Sequence, residues 1–226
     1  MIFPNASFPV VSVIFFYLFL TSCLVELVFA FFEKEKWRVF AKPFPMLFLG
    51  LMAIFTKLDA SYILLYVAIF CGMIGDILLT LKHKAELAFV IGAVFFLAGH
   101  VCYIIRMMMF LPDGNLSWIW SVAMLPVFYL ALLLPCQKMT KRWGMTLLGA
   151  LYLATLLSDV ASGVILSANG YLWGILIIIG GCFFFSSDIY LSKTQFVEHD
   201  KREDFYIMLT YLLGQALIVV GILSLS

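Results

Sequence analysis

Two aspartates stand inside long apolar stretches of the sequence, where an ionisable side chain is costly and marks a candidate functional site. Asp76 lies in the segment Gly-Asp-Ile-Leu-Leu at 75–79, and Asp188 lies in Ser-Asp-Ile-Tyr-Leu at 187–191. Two carboxyl groups in a poorly solvated site can divide their roles, one as a protonated acid and the other as an ionised base. We therefore predict that Asp76 and Asp188 are a pair of catalytic residues.

The depth of each polar residue follows from a helical rise of about 1.5 Å per residue. On this scale Asp76 and Asp188 lie at matched depth, roughly 8–9 Å below one membrane boundary. Glu26 and Lys42 fall near the same level. Lys42 is either an interfacial anchor or a ligand for an anionic headgroup. Glu26 is either a member of the site or the partner of Lys42.

A second polar layer, which contains His100 and Asp159, is expected nearer the opposite face. If the helices are straight, His100 misses the two aspartates by roughly 10 Å, so we assign it a supporting role. We expect His100 to form a packing hydrogen bond with Tyr103. Asp159 either shares this layer or reaches the membrane interface, and Gln215 falls between the layers.

Two further residues complete the predicted site. Tyr211 lies one helical turn before Gln215, on the same helix face. Ser187 adjoins Asp188 and is expected to hold its carboxyl in one rotamer by a hydrogen bond. The predicted substrate-binding residues are Lys42, Glu26, His100, Tyr103, Tyr211, Gln215 and Ser187.

The elements that carry these residues follow from composition. Hydrophobic residues make up 65% of the 226 residues and charged residues 12%, against roughly 25% charged in an ordinary soluble domain. Recurring apolar runs of about 20 residues predict membrane-spanning helices. The eight predicted spans are 10–32, 37–56, 61–81, 87–105, 116–134, 143–166, 171–192 and 205–225. We predict an all-α, polytopic fold in which residues 1–226 form a single integral membrane domain.

The basic residues predict the orientation of the spans. With eight spans, every lysine and arginine except Lys57 and Arg106 falls on one side of the membrane. The positive-inside rule makes that side cytoplasmic and puts both termini on the non-cytoplasmic side. If the second and third spans were a single span, the chain would cross the membrane seven times. The later basic loops would then lie on the opposite side of the membrane from the earlier ones. The expected membrane is the bacterial inner membrane, or the endoplasmic reticulum in a eukaryote.

The sequence also contains a weak internal similarity. The segment around Asp76 in the third span matches the segment around Asp188 in the seventh, and Gly-His at 99–100 matches Gly-Gln at 214–215. Spans four apart have the same orientation. A parallel repeat of four plus four helices is therefore possible.

Several other site classes are disfavoured. The five cysteines are scattered through apolar segments without the spacing of a metal or disulfide framework. Only one of the three histidines lies in a predicted span, which disfavours a zinc centre, and no Gly-x-Ser-x-Gly motif supports serine catalysis. The net charge of +1 does not indicate a basic surface for binding nucleic acid. We predict no cofactor and no metal.

Taken together, these motifs resemble those of the YhhN-like lysoplasmalogenases, a family of integral membrane hydrolases with eight helices. The matching pieces are Lys-Pro at 42–43, Gly-Asp-Ile-Leu-Leu at 75–79, Gly-His at 99–100 with Tyr103, Gly180 through Phe184 to Ser-Asp at 187–188, and Tyr211 with Gln215. They extend from the second span to the last.

The resemblance implies hydrolysis of the vinyl ether bond of a lysoplasmalogen, which yields a fatty aldehyde and a glycerophospho-ethanolamine or -choline. A lysophospholipid substrate and the lipid bilayer would then be the partners. Acid–base catalysis by the two aspartates fits this reaction, with either one as the acid. Lys42 would hold the phosphate group.

Two alternatives stay open at this stage. Buried carboxyl groups in two layers also suit a proton-coupled transporter, although the spans lack clear interruptions. A non-catalytic lipid-binding membrane protein is the other alternative. Release of free aldehyde by the purified protein would separate the hydrolase from both.

Overall fold

The computed structural model describes residues 9–80, 86–197 and 201–225. In these ranges the chain forms α-helices and one 3-10 segment at Ala60–Tyr62, with no strand. The helices are α1 (Val10–Phe31), α2 (Glu35–Ala41), α3 (Pro43–Thr56), α4 (Ile63–Thr80), α5 (Glu86–Met108), α6 (Trp118–Thr140), α7 (Trp143–Ala168), α8 (Gly174–Phe196) and α9 (Lys201–Ser224). The predicted all-α fold is confirmed.

Eight helical stretches in the described ranges are long and apolar enough to cross a membrane. They correspond one to one with the eight predicted spans, so the architecture of a multi-pass membrane protein is confirmed. The second and third spans are separate, because α3 ends at Thr56 and a new helical segment begins at Ala60. The ends of the spans differ from the prediction by a few residues; α6 continues to Thr140. Leu81, the predicted end of the third span, lies outside the described residues.

The second span is divided between α2 and α3, with Lys42 alone between them. The cause is local: Pro43 and Pro45 lack the N–H groups that would bond to carbonyls one turn earlier, and proline is favoured at the start of a helix. The backbone N–H of Lys42 still bonds to the carbonyl of Arg38 at 2.9 Å, so the two helices continue nearly in line. The backbone angles of Lys42 are themselves helical (φ −56°, ψ −37°), and Lys36–Thr56 forms one span, so the expectation that the spans lack clear interruptions is not contradicted here.

Asp59 organises the turn between the second and third spans. Its side chain accepts a hydrogen bond from the backbone N–H of Ser61 at 2.9 Å and starts the 3-10 segment. Short polar side chains favour turns through such local bonds. The same hydrogen bond lowers the pKa of the exposed Asp59 carboxyl, because it stabilises the charged form.

The bundle is built mainly from helices that are neighbours in sequence. α4 packs on α5, α6 on α7, and α7 on α8, while α1 contacts both α3 and α9 and α5 contacts α7. The α8–α9 pair is especially close: a Cβ added at Gly180 would lie 2.9 Å from the carbonyl oxygen of Gly214. Small residues permit such close approach of helices in membranes. The cytoplasmic orientation of the basic loops and the parallel repeat stay predictions.

Candidate active site

Asp76 is enclosed in the bundle and has two partners from other helices. Its side chain projects from α4 and the residue is 2% exposed. The hydroxyl of Tyr211, on α9, donates a hydrogen bond to Oδ2 of Asp76 at 2.6 Å. Nζ of Lys42 lies 3.9 Å from Oδ1. The junction between α2 and α3 thus places a cation beside this carboxyl group.

Asp188, on α8, is likewise buried but has a different partner. The hydroxyl of Tyr152, on α7, donates a hydrogen bond to its Oδ2. Sequence reasoning missed Tyr152. The available signal was its spacing of seven residues from Asp159 on the same helix, which places both side chains on one helix face.

The two aspartates project into the interior of the bundle from different helices, α4 and α8. Within the described residues, however, they are not hydrogen-bonded to each other, and each carboxyl group accepts its hydrogen bond from a separate tyrosine. Phe96 packs close to both regions. A Cβ added at Gly75, next to Asp76, would lie 2.6 Å from the Phe96 ring, and the same ring lines the crevice that contains Asp188.

Three aromatic rings fill the space around this pair. The ring centroids of Phe96 and Tyr211 are 6.0 Å apart, and those of Phe184 and Tyr211 are 5.3 Å apart, both with edge-on geometry. Phe96 and Phe184 are 6.2 Å apart. Edge-to-face contacts at such distances are favourable for aromatic rings. The cluster fixes the Tyr211 ring, and through it the hydrogen bond to Asp76.

His100 and Asp159 form a buried pair beside this cluster. Nδ1 of His100, on α5, is hydrogen-bonded to Oδ2 of Asp159, on α7. Asp159 is 0% exposed, so the alternative in which it reaches the membrane interface is wrong. The His100 ring packs 4.4 Å from Phe184 and 6.3 Å from Tyr152, measured between centroids. Among the described residues, no hydrogen bond joins His100 to Asp76 or Asp188.

Tyr103 and Gln215 also meet in the interior. The Tyr103 hydroxyl donates to Oε1 of Gln215 at 2.8 Å, which links α5 to α9. The expected hydrogen bond between His100 and Tyr103 is wrong, since their rings instead meet edge-on at 5.7 Å. The hydrogen bond from Tyr103 shows that Gln215 faces the interior. Gln215 therefore lies on the same face of α9 as Tyr211, which precedes it by one helical turn.

Glu26 is paired with Arg38. The Nε atom of Arg38 lies 3.3 Å from Oε1 of Glu26, and its Nη1 lies 2.7 Å from Oδ2 of Asp204. The alternative in which Lys42 is the ion-pair partner of Glu26 is therefore wrong, because Lys42 pairs with Asp76. Sequence reasoning counted Arg38 only among the basic residues on the cytoplasmic side and missed this contact.

Ser187 does not orient Asp188, and that prediction is wrong. Its hydroxyl donates to the backbone carbonyl of Ile207 at 3.0 Å. Consecutive residues on a helix point about 100° apart, at 3.6 residues per turn. Ser187 therefore faces α9 while Asp188 contacts Tyr152 on α7.

A crevice of about 60 Å³ reaches Asp188 from the side of the bundle. Its walls come from α5, α6, α7 and α8, with Leu79 of α4. Asp188 is the one charged residue in a lining that is otherwise mostly apolar, and Tyr152 lies beside it. A carboxyl group that faces an apolar crevice can reach an apolar ligand as well as water.

No group of three or more histidine, cysteine, aspartate or glutamate side chains in the described part of the chain could hold a metal ion. The candidate site consists of two buried carboxyl groups with tyrosine and lysine partners. The sequence profile described as the YhhN family matches residues 37–222. The chain belongs to the YhhN family.

The YhhN match contains every site residue described above except Glu26, which precedes it. Both aspartates, their tyrosine partners and Lys42 therefore lie in the segment that defines membership. Comparison with curated proteins and with solved structures found no match for the chain.

Proposed function

We propose that this YhhN-family protein hydrolyses the vinyl ether bond of lysoplasmalogens to a fatty aldehyde and a glycerophospho-ethanolamine or -choline. The observation that carries the proposal is the contrast between the surroundings of two buried carboxyl groups. Asp76 lies beside a lysine, whereas Asp188 faces an apolar crevice. Different surroundings allow two carboxyl groups to take different roles in acid–base catalysis.

We assign the role of general acid to Asp188. Vinyl ethers hydrolyse by protonation of the alkene carbon that is not bonded to oxygen, and this carbon belongs to the hydrocarbon chain. The π electron pair takes the Asp188 proton, and the adjoining carbon becomes an oxocarbenium ion. The crevice brings apolar groups to this carboxyl, and Tyr152 fixes its orientation.

We assign the role of general base to Asp76. The ammonium group of Lys42 and the hydroxyl of Tyr211 both stabilise a carboxylate at this position. This negative charge steadies the oxocarbenium ion. Water then adds to the cationic carbon and gives a proton to Asp76, which leaves a hemiacetal. Transfer of the hemiacetal hydroxyl proton to the glycerol oxygen breaks the C–O bond and frees the aldehyde, and return of the proton from Asp76 to Asp188 through water restores the pair.

We also assign to Lys42 the role of binding the phosphate of the headgroup. Its side chain is 13% exposed, and it lies near the end of a span, where anionic lipid groups are within reach. The positive charge can contact a phosphate oxygen and the Asp76 carboxyl together. Such a position would hold the vinyl ether near both aspartates.

The proposal is tested by incubating the purified protein with three lysolipids that share a headgroup and carry an alkenyl, alkyl or acyl chain. Mass spectrometry identifies the products. We expect fatty aldehyde from the alkenyl lipid alone. A folded, monodisperse preparation that releases no aldehyde would refute the proposal.

Proton-coupled transport is favoured by one observation, the pairing of Lys42 with a buried carboxyl group inside a bundle of membrane-spanning helices. Carboxyl groups inside membrane-spanning helices can relay protons in pumps and transporters. The same aldehyde assay separates the two functions, because a transporter leaves the lysolipid intact.

A further inference from the structure

The crevice beside Asp188 lies between helices that pack poorly on each other. α5 packs on α4 and α7, and α6 packs on α7, but α5 and α6 make little direct contact. Phe89, Ala93 and Phe96 of α5 form one wall of the crevice, and Cys136 and Met139 of α6 lie in the other. The gap therefore separates two membrane-spanning helices.

The shape and lining of the crevice select the kind of molecule that fits it. Its walls are mostly apolar, and its volume is about 60 Å³. That volume exceeds the about 15 Å³ that one water-sized sphere needs, so the crevice has room for a ligand group beside Asp188. Asp188 and Tyr152 lie together in this lining, where the reactive end of a chain would lie.

Gly149 of α7 lies in the wall of this crevice. A Cβ added there would meet no atom within 4 Å. The absence of a side chain thus leaves space in the crevice, and the packing of neighbouring helices does not require a glycine at this position. Gly180 is different, because a Cβ added there would lie 2.9 Å from the backbone of α9.

We propose that this crevice binds the single hydrocarbon chain of the substrate, which enters from the bilayer between α5 and α6, and that Gly149 sets the bulk of chain admitted. This inference rests on the proposed hydrolysis for the chemistry at Asp188. It adds the place where the chain binds, its route from the bilayer, and a residue that determines chain specificity.

A leucine at position 149 provides the direct test, because its side chain would fill much of the crevice. Gly144→Leu is the matched control: Gly144 lies on the same helix, a Cβ there also meets no atom within 4 Å, and the residue is not part of the crevice lining. Gly149→Ala adds a single methyl group in open space and serves as a milder variant that folds even if the leucine variant does not.

The binding experiment uses an alkyl lysophosphatidylethanolamine with a diazirine in its chain. The alkyl ether has no vinyl group to hydrolyse, so labelling is independent of turnover. After irradiation, peptide mapping should find label on crevice residues such as Met139, Met145 and Leu148 in the wild type and in Gly144→Leu. Gly149→Leu should lose this label, and Gly149→Ala should show an intermediate amount. Label elsewhere, or label that Gly149→Leu leaves unchanged, would overturn the proposal.

The kinetic experiment compares alkenyl lysolipids of long and short chain. Changes of one methylene in an apolar pocket alter kcat/KM by about 10- to 200-fold. Gly149→Leu should therefore lower kcat/KM for the long chain about tenfold or more, and less for the short chain, while Gly144→Leu keeps the wild-type ratio. Equal chain preference in Gly149→Leu and the wild type would contradict the proposal. Labelling of the crevice without any aldehyde from the wild type would support the chain site and refute the hydrolase.

Discussion

The hydroxyl oxygen of Tyr211 lies 2.6 Å from Oδ2 of Asp76, although 135 residues separate the two in the sequence. Tyr211 is 5% exposed and Asp76 is 2% exposed, so this hydrogen bond forms away from bulk water. Tyr152 and Asp188 repeat the relationship between α7 and α8. Each aspartate is therefore held by a phenol from a different helix.

Tyr211→Phe removes the hydrogen bond to Asp76 and preserves the ring that packs on Phe96 and Phe184. Hydrogen bonds to charged groups contribute about 1.5–3 kcal/mol, so we expect kcat/KM for aldehyde release to fall about 10- to 100-fold. Tyr171→Phe is the control, because its hydroxyl donates to the Phe110 carbonyl at 2.5 Å, remote from the aspartates. Equal rates for Tyr211→Phe and the control would remove Tyr211 from the site.

Tyr152→Phe is expected to act on the proton donor. Without its hydrogen bond, the Asp188 carboxyl can rotate away from the alkene, so kcat should fall by about tenfold or more while KM changes little. Steady-state kinetics with the alkenyl lysolipid measures both constants. A rise in KM at unchanged kcat would instead assign Tyr152 to binding of the chain.

Lys42→Gln tests the contact with the phosphate. Loss of a charge-assisted hydrogen bond costs about 1.5–3 kcal/mol, so KM for the lysophospholipid should rise at least about tenfold. KM for an alkenyl glycerol without phosphate should stay near the wild-type value, because it has no anionic group to lose. Lys57→Gln, at the opposite end of α3, is the control. If both substrates lose affinity equally, Lys42 acts only through Asp76.

His100 and Asp159 are predicted to stabilise the fold and to have no direct role in the chemistry. Removal of one partner leaves a buried polar group unpaired, so His100→Leu should lower the free energy of unfolding by about 3–5 kcal/mol. The double variant His100→Leu with Asp159→Leu should recover part of that loss. Unfolding in mixed detergent measures His100→Leu, Asp159→Leu, the double variant and the wild type. Losses that simply add in the double variant would argue against the pair.

The spans could be predicted from the sequence because apolar length alone defines them, and depth could be predicted because rise per residue is nearly constant. The rotation of each helix about its own axis and the helices against which it packs could not be predicted from the sequence. Ser187 and Asp188 are adjacent in sequence yet contact different helices. The ion pairs of Arg38 could not be predicted, because nothing in the sequence shows that α1 and α9 bring Glu26 and Asp204 to it.

Asp76 could be found from the sequence and its partner Lys42 could be placed at the same depth, because a charge in an apolar run stands out. For Tyr152 the sequence offered only its spacing of seven residues from Asp159, because a tyrosine in a membrane helix is ordinary and its contact with Asp188 comes from the packing of α7 on α8. The crevice likewise arises from the weak contact between α5 and α6, which no single segment of the sequence specifies.

The central claim is that Asp76 and Asp188 together protonate and hydrate a vinyl ether. The direct measurement is mass spectrometry of the aldehyde released in D₂O by the wild type, Asp76→Asn and Asp188→Asn, with folding checked by size-exclusion chromatography. The wild type should release aldehyde with one solvent deuterium at the carbon next to the carbonyl, and each folded variant should be slower by about 100-fold or more. A folded variant of either aspartate that retains the wild-type rate would contradict the account.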